Sequence, residues 1–136
     1  MVSESRGRVL IADDDPVMRK VLTSVVNQEQ YEAVQARDGR EAFRALNSDA
    51  KFKGALLDLN MPGLSGLDLV SHMKTEKRLQ RIPVMIITAE TEMKLVSEIF
   101  RAGAVAYLPK PFSRDQVTRA IRMLLHISHK RVLAAA

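Results

Sequence analysis

Asp13, Asp14 and Asp15 stand in an unbroken row, and a further acid, Asp58, sits near the tip of the apolar segment GALLDL (54–59). Ionised carboxylates are costly to bury unless something compensates for their charge. Asn60, Thr88, Glu90 and Lys110 also lie at or just past the ends of apolar segments. Clustered acids repel unless a cation joins them. An all-oxygen donor set suits Mg²⁺, which keeps several waters and uses one or two carboxylates. Beside such a cation and Lys110, Asp58 can stay ionised and act as a nucleophile. A carboxylate attacking phosphorus yields an aspartyl phosphate. That transfer needs mainly alignment and neutralisation of the equatorial oxygens, to which Lys110 and the Thr88 hydroxyl can contribute.

These residues can act together only if the chain brings them to one edge. Five short apolar segments read as strands: RVLIA (8–12), YEAVQA (31–36), GALLDL (54–59), PVMIIT (83–88) and AVAYLP (104–109). Helical spacing follows each. In the first helix Asp15 can cap and Pro16 suits the first position, with Val17, Val21, Leu22, Val25 and Val26 as the apolar stripe. Ala42, Phe43 and Leu46 mark a second helix near 39–48, and Leu67, Val70 and Met73 a third near 65–74. The fourth, near 90–102, offers Met93, Val96 and Phe100 and stops at Gly103. Val117, Ala120, Ile121, Leu124 and Leu125 stripe the fifth. Five such units predict an α/β fold, a doubly wound parallel sheet with helices on both faces. Parallel strands share their carboxyl edge, where open α/β sheets place functional groups.

The chain has 136 residues, enough for one domain with a real core. With 46% hydrophobic and 27% charged residues it falls in the globular class rather than the disordered one. No apolar run reaches the roughly 20 residues of a membrane span. The segment MVSESRGR holds no apolar leader, so cytoplasmic residence and no membrane partner are expected. Without cysteine there are no disulfides or thiolate metal sites. The net charge of +5 sits mostly in residues 113–136, where Arg114, Arg119, Arg122, Lys130 and Arg131 face only Asp115. Basicity belongs to the last helix, not to the domain.

The blocks VLIADDDP, LLDLNMPGLSG, MIITAE and YLPKPF resemble, in order and spacing, the four signature blocks of the response-regulator receiver domain. The similarity runs from residue 8 to about 127, with 1–7 as an N-terminal tail and 128–136 as an extension of the last helix or a tail. It implies the flavodoxin-like receiver fold and a phosphoacceptor signalling domain of two-component systems rather than an enzyme. By that pattern Asp58 is the phosphoacceptor, Asp14 a direct metal ligand, and Asp13 its acidic partner acting largely through water. Asn60 would lend the Mg²⁺ (or Mn²⁺) a backbone carbonyl, and Lys110 would pair with the phosphoryl group. Thr88 and Tyr107 match the switch pair. Gly66 matches a family glycine, and Lys110–Pro111 a bond that is typically cis. Asn60 and Glu90, each two residues past Asp58 and Thr88, resemble the pair of chemotaxis-type regulators whose phosphoryl groups turn over quickly. The implied partners are a histidine kinase or phosphotransfer protein, and a downstream protein or output domain reached through the fourth helix, fifth strand and fifth helix.

Other features read blandly. His126 and His129 lack a third metal ligand, and His72 reads as a surface residue of the third helix. Lys74, Lys77, Arg78 and Arg81 read as a solvated basic loop. An aspartyl-phosphate hydrolase of the haloacid dehalogenase type would need a second acid where Asn60 stands. A nucleic-acid module would need a stacking platform, and aromatics are only 4%, so no direct nucleic-acid binding is expected. Ile127, Val132 and Leu133 extend past the stripe that docks the last helix. They are expected to pair with a second copy, lead into an output domain, or fray.

Overall fold

A computed structural model of the protein describes residues 5–49 and 51–135, with side chains placed as far as His126. Strands and helices alternate as expected. The strands are β1 (Arg8–Ala12), β2 (Glu32–Ala36), β3 (Phe52–Asp58), β4 (Val84–Thr88) and β5 (Ala106–Pro109). The helices are α1 (Pro16–Gln28), α2 (Gly39–Ser48), α3 (Gly66–Thr75), α4 (Met93–Ala102) and α5 (Arg114–Ala135). The strands form one parallel sheet in the order β2-β1-β3-β4-β5, the doubly wound receiver topology.

Alternation along each strand sends side chains to two cores. Leu10, Ala12, Ala55, Leu57, Val84 and Ile86 pack under α2, α3 and α4. Val9, Ile11, Leu56, Met85 and Ile87 pack under α1 and α5. With both faces covered, these strands read as continuous apolar runs. Helix starts follow capping chemistry. Asp15 accepts from the Val17 amide, Asp38 from the Glu41 amide, and Ser65 with Asp68 closes a capping box. Ser113 and Gln116 exchange the same pair of bonds at the start of α5.

Two helices turn different faces to the sheet from those their spacing predicts. Val17 is 70% exposed, and Met18 packs inward instead. Positions 18, 22, 25 and 26 share one face at 3.6 residues per turn, and Val17 lies a step round the helix. In α4, Met93 (79% exposed) and Phe100 (45%) face outward. Ile99 is buried, and Leu95 and Ala102 pack beside it, so the inner stripe runs 95, 99, 102. Leu69, not singled out by spacing, joins Val70 and Met73 in the core.

His72 is also not a free surface residue. Its ring lies 4.8 Å from that of Phe43, and its Nε2 is enclosed without a hydrogen-bond partner. Arg78, expected in solvent, donates to the Leu46 carbonyl (3.2 Å) and to Asn47 Oδ1 (2.8 Å), satisfying the end of α2. The α5 backbone continues to Ala135, while the side chains of Ile127, His129, Lys130, Arg131, Val132 and Leu133 lie outside the described residues.

Candidate functional site

The carboxyl ends of β1, β3, β4 and β5 deliver Asp13, Asp58, Thr88 and Lys110 to one edge. Asp13, Asp58 and Thr88 are the buried polar or charged side chains among the described residues. Asp58 is only 4% exposed. Asp13, Asp14 and Asp58 each offer a carboxylate oxygen, and these oxygens lie within 4.8 Å of one another. Lys110 Nζ stands 3.5 Å from Asp58 Oδ1 and 3.6 Å from Asp13 Oδ2. Those distances are long for hydrogen bonds, so the ammonium bridges the two acids electrostatically without closing on either.

Burial, then the neighbouring Asp13 charge, pushes the Asp58 carboxyl up to about 6, against the pull of Lys110 and the Asn60 amide. Burial likewise raises Asp13, although the Asp15 amide donates to its Oδ1 at 2.9 Å. The other oxygen, Asp13 Oδ2, is enclosed and accepts no hydrogen bond. A buried carboxylate oxygen that accepts no hydrogen bond, in a cluster with two further acids, fits a hard divalent cation bound by oxygen donors.

Local structure holds these groups in place. Gly66 begins α3 so close to the strand end that a Cβ there would stand 2.6 Å from the Asp58 carbonyl oxygen. Only glycine lets the helix approach that near. The Lys110 amide donates to the Thr88 carbonyl (2.8 Å), and the Lys110–Pro111 bond is cis. The Thr88 hydroxyl oxygen accepts from the Glu90 amide (2.9 Å). Asn60 Nδ2 donates to Glu90 Oε2 (3.4 Å), so the two positions paired by motif alone meet across the mouth of the site. Tyr107 pairs with Ile86 in the ladder and packs in the α2–α4 core, on the sheet face to which alternation assigns Thr88. The exposed Phe100 ring meets Tyr107 edge-on at 6.1 Å.

Arg19 was not foreseen. Its guanidinium binds the Asp13 carbonyl (2.7 Å) and Gln35 Oε1 (3.2 Å), tying α1 and β2 to the acidic turn. A lone arginine on an amphipathic helix carries no sequence signal that separates such an anchor from a solvated charge.

Known proteins share this arrangement of elements. The family described as response regulator receiver domain matches residues 9–122. Chemotaxis protein CheY1 of Helicobacter pylori is 32% identical over 119 residues, covering 87% of this chain and 96% of that protein. The chemotaxis response regulator CheY4 of Vibrio cholerae, a solved structure, aligns with a TM-score of 0.81 at 25% identity over 90% of this chain and 99% of its own. The receiver domain of sensor histidine kinase PA1611 from Pseudomonas aeruginosa, solved with a magnesium ion coordinated in its active site cleft, aligns with a TM-score of 0.79 at 22% identity. It covers 91% of this chain and 99% of its own. With the match spanning most of its length and the acidic edge built as described, the chain belongs to the response regulator receiver domain family.

Proposed function

We propose that Asp58 is the phosphoacceptor of a divalent-cation-dependent switch, taking its phosphoryl group from a histidine kinase or phosphotransfer protein. The observation that carries this reading is a nearly buried carboxylate at the end of β3 within reach of two more acids and one ammonium. Asp13, Asp14, Asp58 and the Asn60 carbonyl would hold Mg²⁺ or Mn²⁺, as the magnesium in the Pseudomonas aeruginosa receiver domain supports. Bound there, the cation neutralises charge on the phosphoryl oxygens.

The rest is done by side chains of this chain. With a pKa of about 6, Asp58 is ionised roughly ten to one at pH 7 even before a cation binds. Its oxygen attacks the phosphorus of the donor, a new O–P bond forms, and the bond to the donor's leaving nitrogen or oxygen breaks. Lys110 pairs with one phosphoryl oxygen and the Thr88 hydroxyl donates to another. Moving Thr88 toward the phosphoryl group frees space on the sheet face that Tyr107 shares, and the Tyr107 ring turns inward. Such a change is a population shift between two packings. The exposed Phe100 beside Tyr107 gives α4, β5 and α5 a surface whose shape follows that ring.

In this role the chain signals and acts on no released substrate, its own phosphorylation and dephosphorylation excepted. We assign it to the cytoplasm, in keeping with the lack of any helix among the described residues long and apolar enough to cross a membrane. The test is labelling by acetyl phosphate with Mg²⁺, read by intact mass. The wild type should gain one phosphoryl group and Asp58→Asn none, because an amide cannot form the acyl phosphate. Undiminished labelling of the variant overturns the assignment.

A further inference from the structure

A second concavity, of about 300 Å³, opens beside the loop that leads away from Asp58. Arg40, Phe43 and Arg44 of α2 form one wall, and Gly63 and Leu64 of the β3–α3 loop form the other. The walls are locked together, because a Cβ on Gly39 would lie only 2.0 Å from the Leu64 carbonyl oxygen. Phe43 and Leu64 are half-buried and leave an apolar floor.

The rim is cationic, and Glu41 answers Arg44 only at a distance, without a salt bridge. Arg40 and Arg44 are exposed, stand one turn apart on α2, and form no ion pair or side-chain hydrogen bond among the described residues. Arg40 lies over Gly63, its Nε 3.4 Å from where a Cβ would stand. The nearby acids are engaged elsewhere. Glu41 binds the Arg37 guanidinium through Oε2 (2.8 and 3.0 Å) and the Arg37 amide through Oε1, and Asp38 caps the helix. Like charges four apart on a helix cost stability unless an outside anion joins them.

We infer that this cavity docks an acidic segment of a partner protein carrying one aromatic or aliphatic anchor. The anchor fills the space over Phe43 and Leu64, and flanking carboxylates pair with Arg40 and Arg44. The size favours a side chain over a cofactor, since it lies at the bottom of the roughly 300–1,000 Å³ range of ligand pockets. A buried apolar anchor with a charged rim is also how interfaces combine affinity with orientation. A nucleic-acid strand would need a basic groove tracking its backbone, and two arginines with Asp38 and Glu41 on the same helix do not make one. None of the residues lining the cavity belongs to the acidic edge around Asp58, and docking there needs no phosphodonor.

The probe is an acetylated, amidated pentapeptide, Asp-Glu-Phe-Glu-Asp, titrated into the ¹⁵N-labelled full chain at low salt. Saturable amide shifts are expected at Arg40, Phe43, Arg44, Gly63 and Leu64. Arg40→Gln with Arg44→Gln should weaken binding roughly tenfold, and replacing the peptide's Phe by Ala should weaken it by a similar factor. Both arginines are exposed and repel each other, so the double variant should fold with a urea midpoint equal to or slightly above that of the wild type. Absence of saturable shifts at these residues overturns the inference. So does equal affinity after either change, or tighter binding of a short DNA duplex to the same residues.

Discussion

At the scale of the residue, Asp58 couples chemistry to stability. Its carboxyl is raised from 3.8 to about 6 in the folded protein, so between those values the native state holds a proton that the unfolded state has lost. Stability of the cation-free domain therefore falls as pH rises from about 4 to about 6, by roughly 1–3 kcal/mol. Asp58→Asn removes Asp58's share of that slope, the raised Asp13 keeping its own, and should stabilise the cation-free domain at pH 7 by a similar amount, measured by urea unfolding in EDTA. A variant less stable than wild type at pH 7 would contradict the burial penalty. Asn60 and Glu90 meet at 3.4 Å beside Asp58 and Thr88, and we propose that they flank the path of a hydrolytic water and so bear on lifetime. Neither carries bulk or positive charge that would bar it. A short-lived phosphoryl group is expected, and persistence for many hours after donor removal would count against this role.

At the scale of the element, close backbone approach and ring packing decide the outcomes. A methyl group at position 66 must displace the Asp58 carbonyl and crowd Ile86, so Gly66→Ala should cost about 1–3 kcal/mol and slow acetyl phosphate labelling as well. Loss of stability with normal labelling would show that α3 shifts without disturbing β3. Tyr107 is half-buried beside Phe100, and Tyr107→Ala should cost about 1–2 kcal/mol while leaving phosphorylation intact and uncoupling partner binding. Loss of labelling in that variant would point to a folding defect. For α5, the buried Val117, Ile121, Leu124 and Leu125 suffice to dock the helix on the sheet. Removing residues 128–136 should leave labelling unchanged and alter self-association if the chain dimerises. A deletion that unfolds the domain would place those residues in the core.

For the whole molecule, the acidic edge trades stability for binding. Three carboxylates face a single ammonium, a net repulsion that a divalent cation relieves only in the folded state. Mg²⁺ at about a hundred times its Kd should then add about 2.7 kcal/mol to the unfolding free energy at pH 7. Asp14→Ala should shrink that increment, and an equal Mg²⁺ effect in the variant would remove Asp14 from the ligand set. The sheet spreads these groups along the chain: acids from just past β1 and from the end of β3, the hydroxyl from β4, and the ammonium from just beyond β5. None of these parts works until the strands pair.

Strand positions, the doubly wound class and the residues at the strand ends were legible in the sequence. Strands covered on both faces are apolar throughout, and the polar residue that ends each one therefore stands out. Capping by Asp15 and the stop at Gly103 were legible too, since both depend on local chemistry. What the sequence left open is how each helix rolls against the sheet. Adjacent apolar residues in α1 and α4 leave more than one possible face, so periodicity alone cannot choose Met18 over Val17, or Leu95 and Ile99 over Met93 and Phe100. The choice falls to the neighbours that each helix meets. Long-range placement is equally a tertiary matter. Only pairing β5 beside β4 brings Lys110 within 3.5 Å of Asp58, and only the α2–α3 packing sets Arg40 over Gly63 and turns His72 onto Phe43. Spacing along a chain reports faces and ends; distance between elements is set by packing, which no local pattern contains.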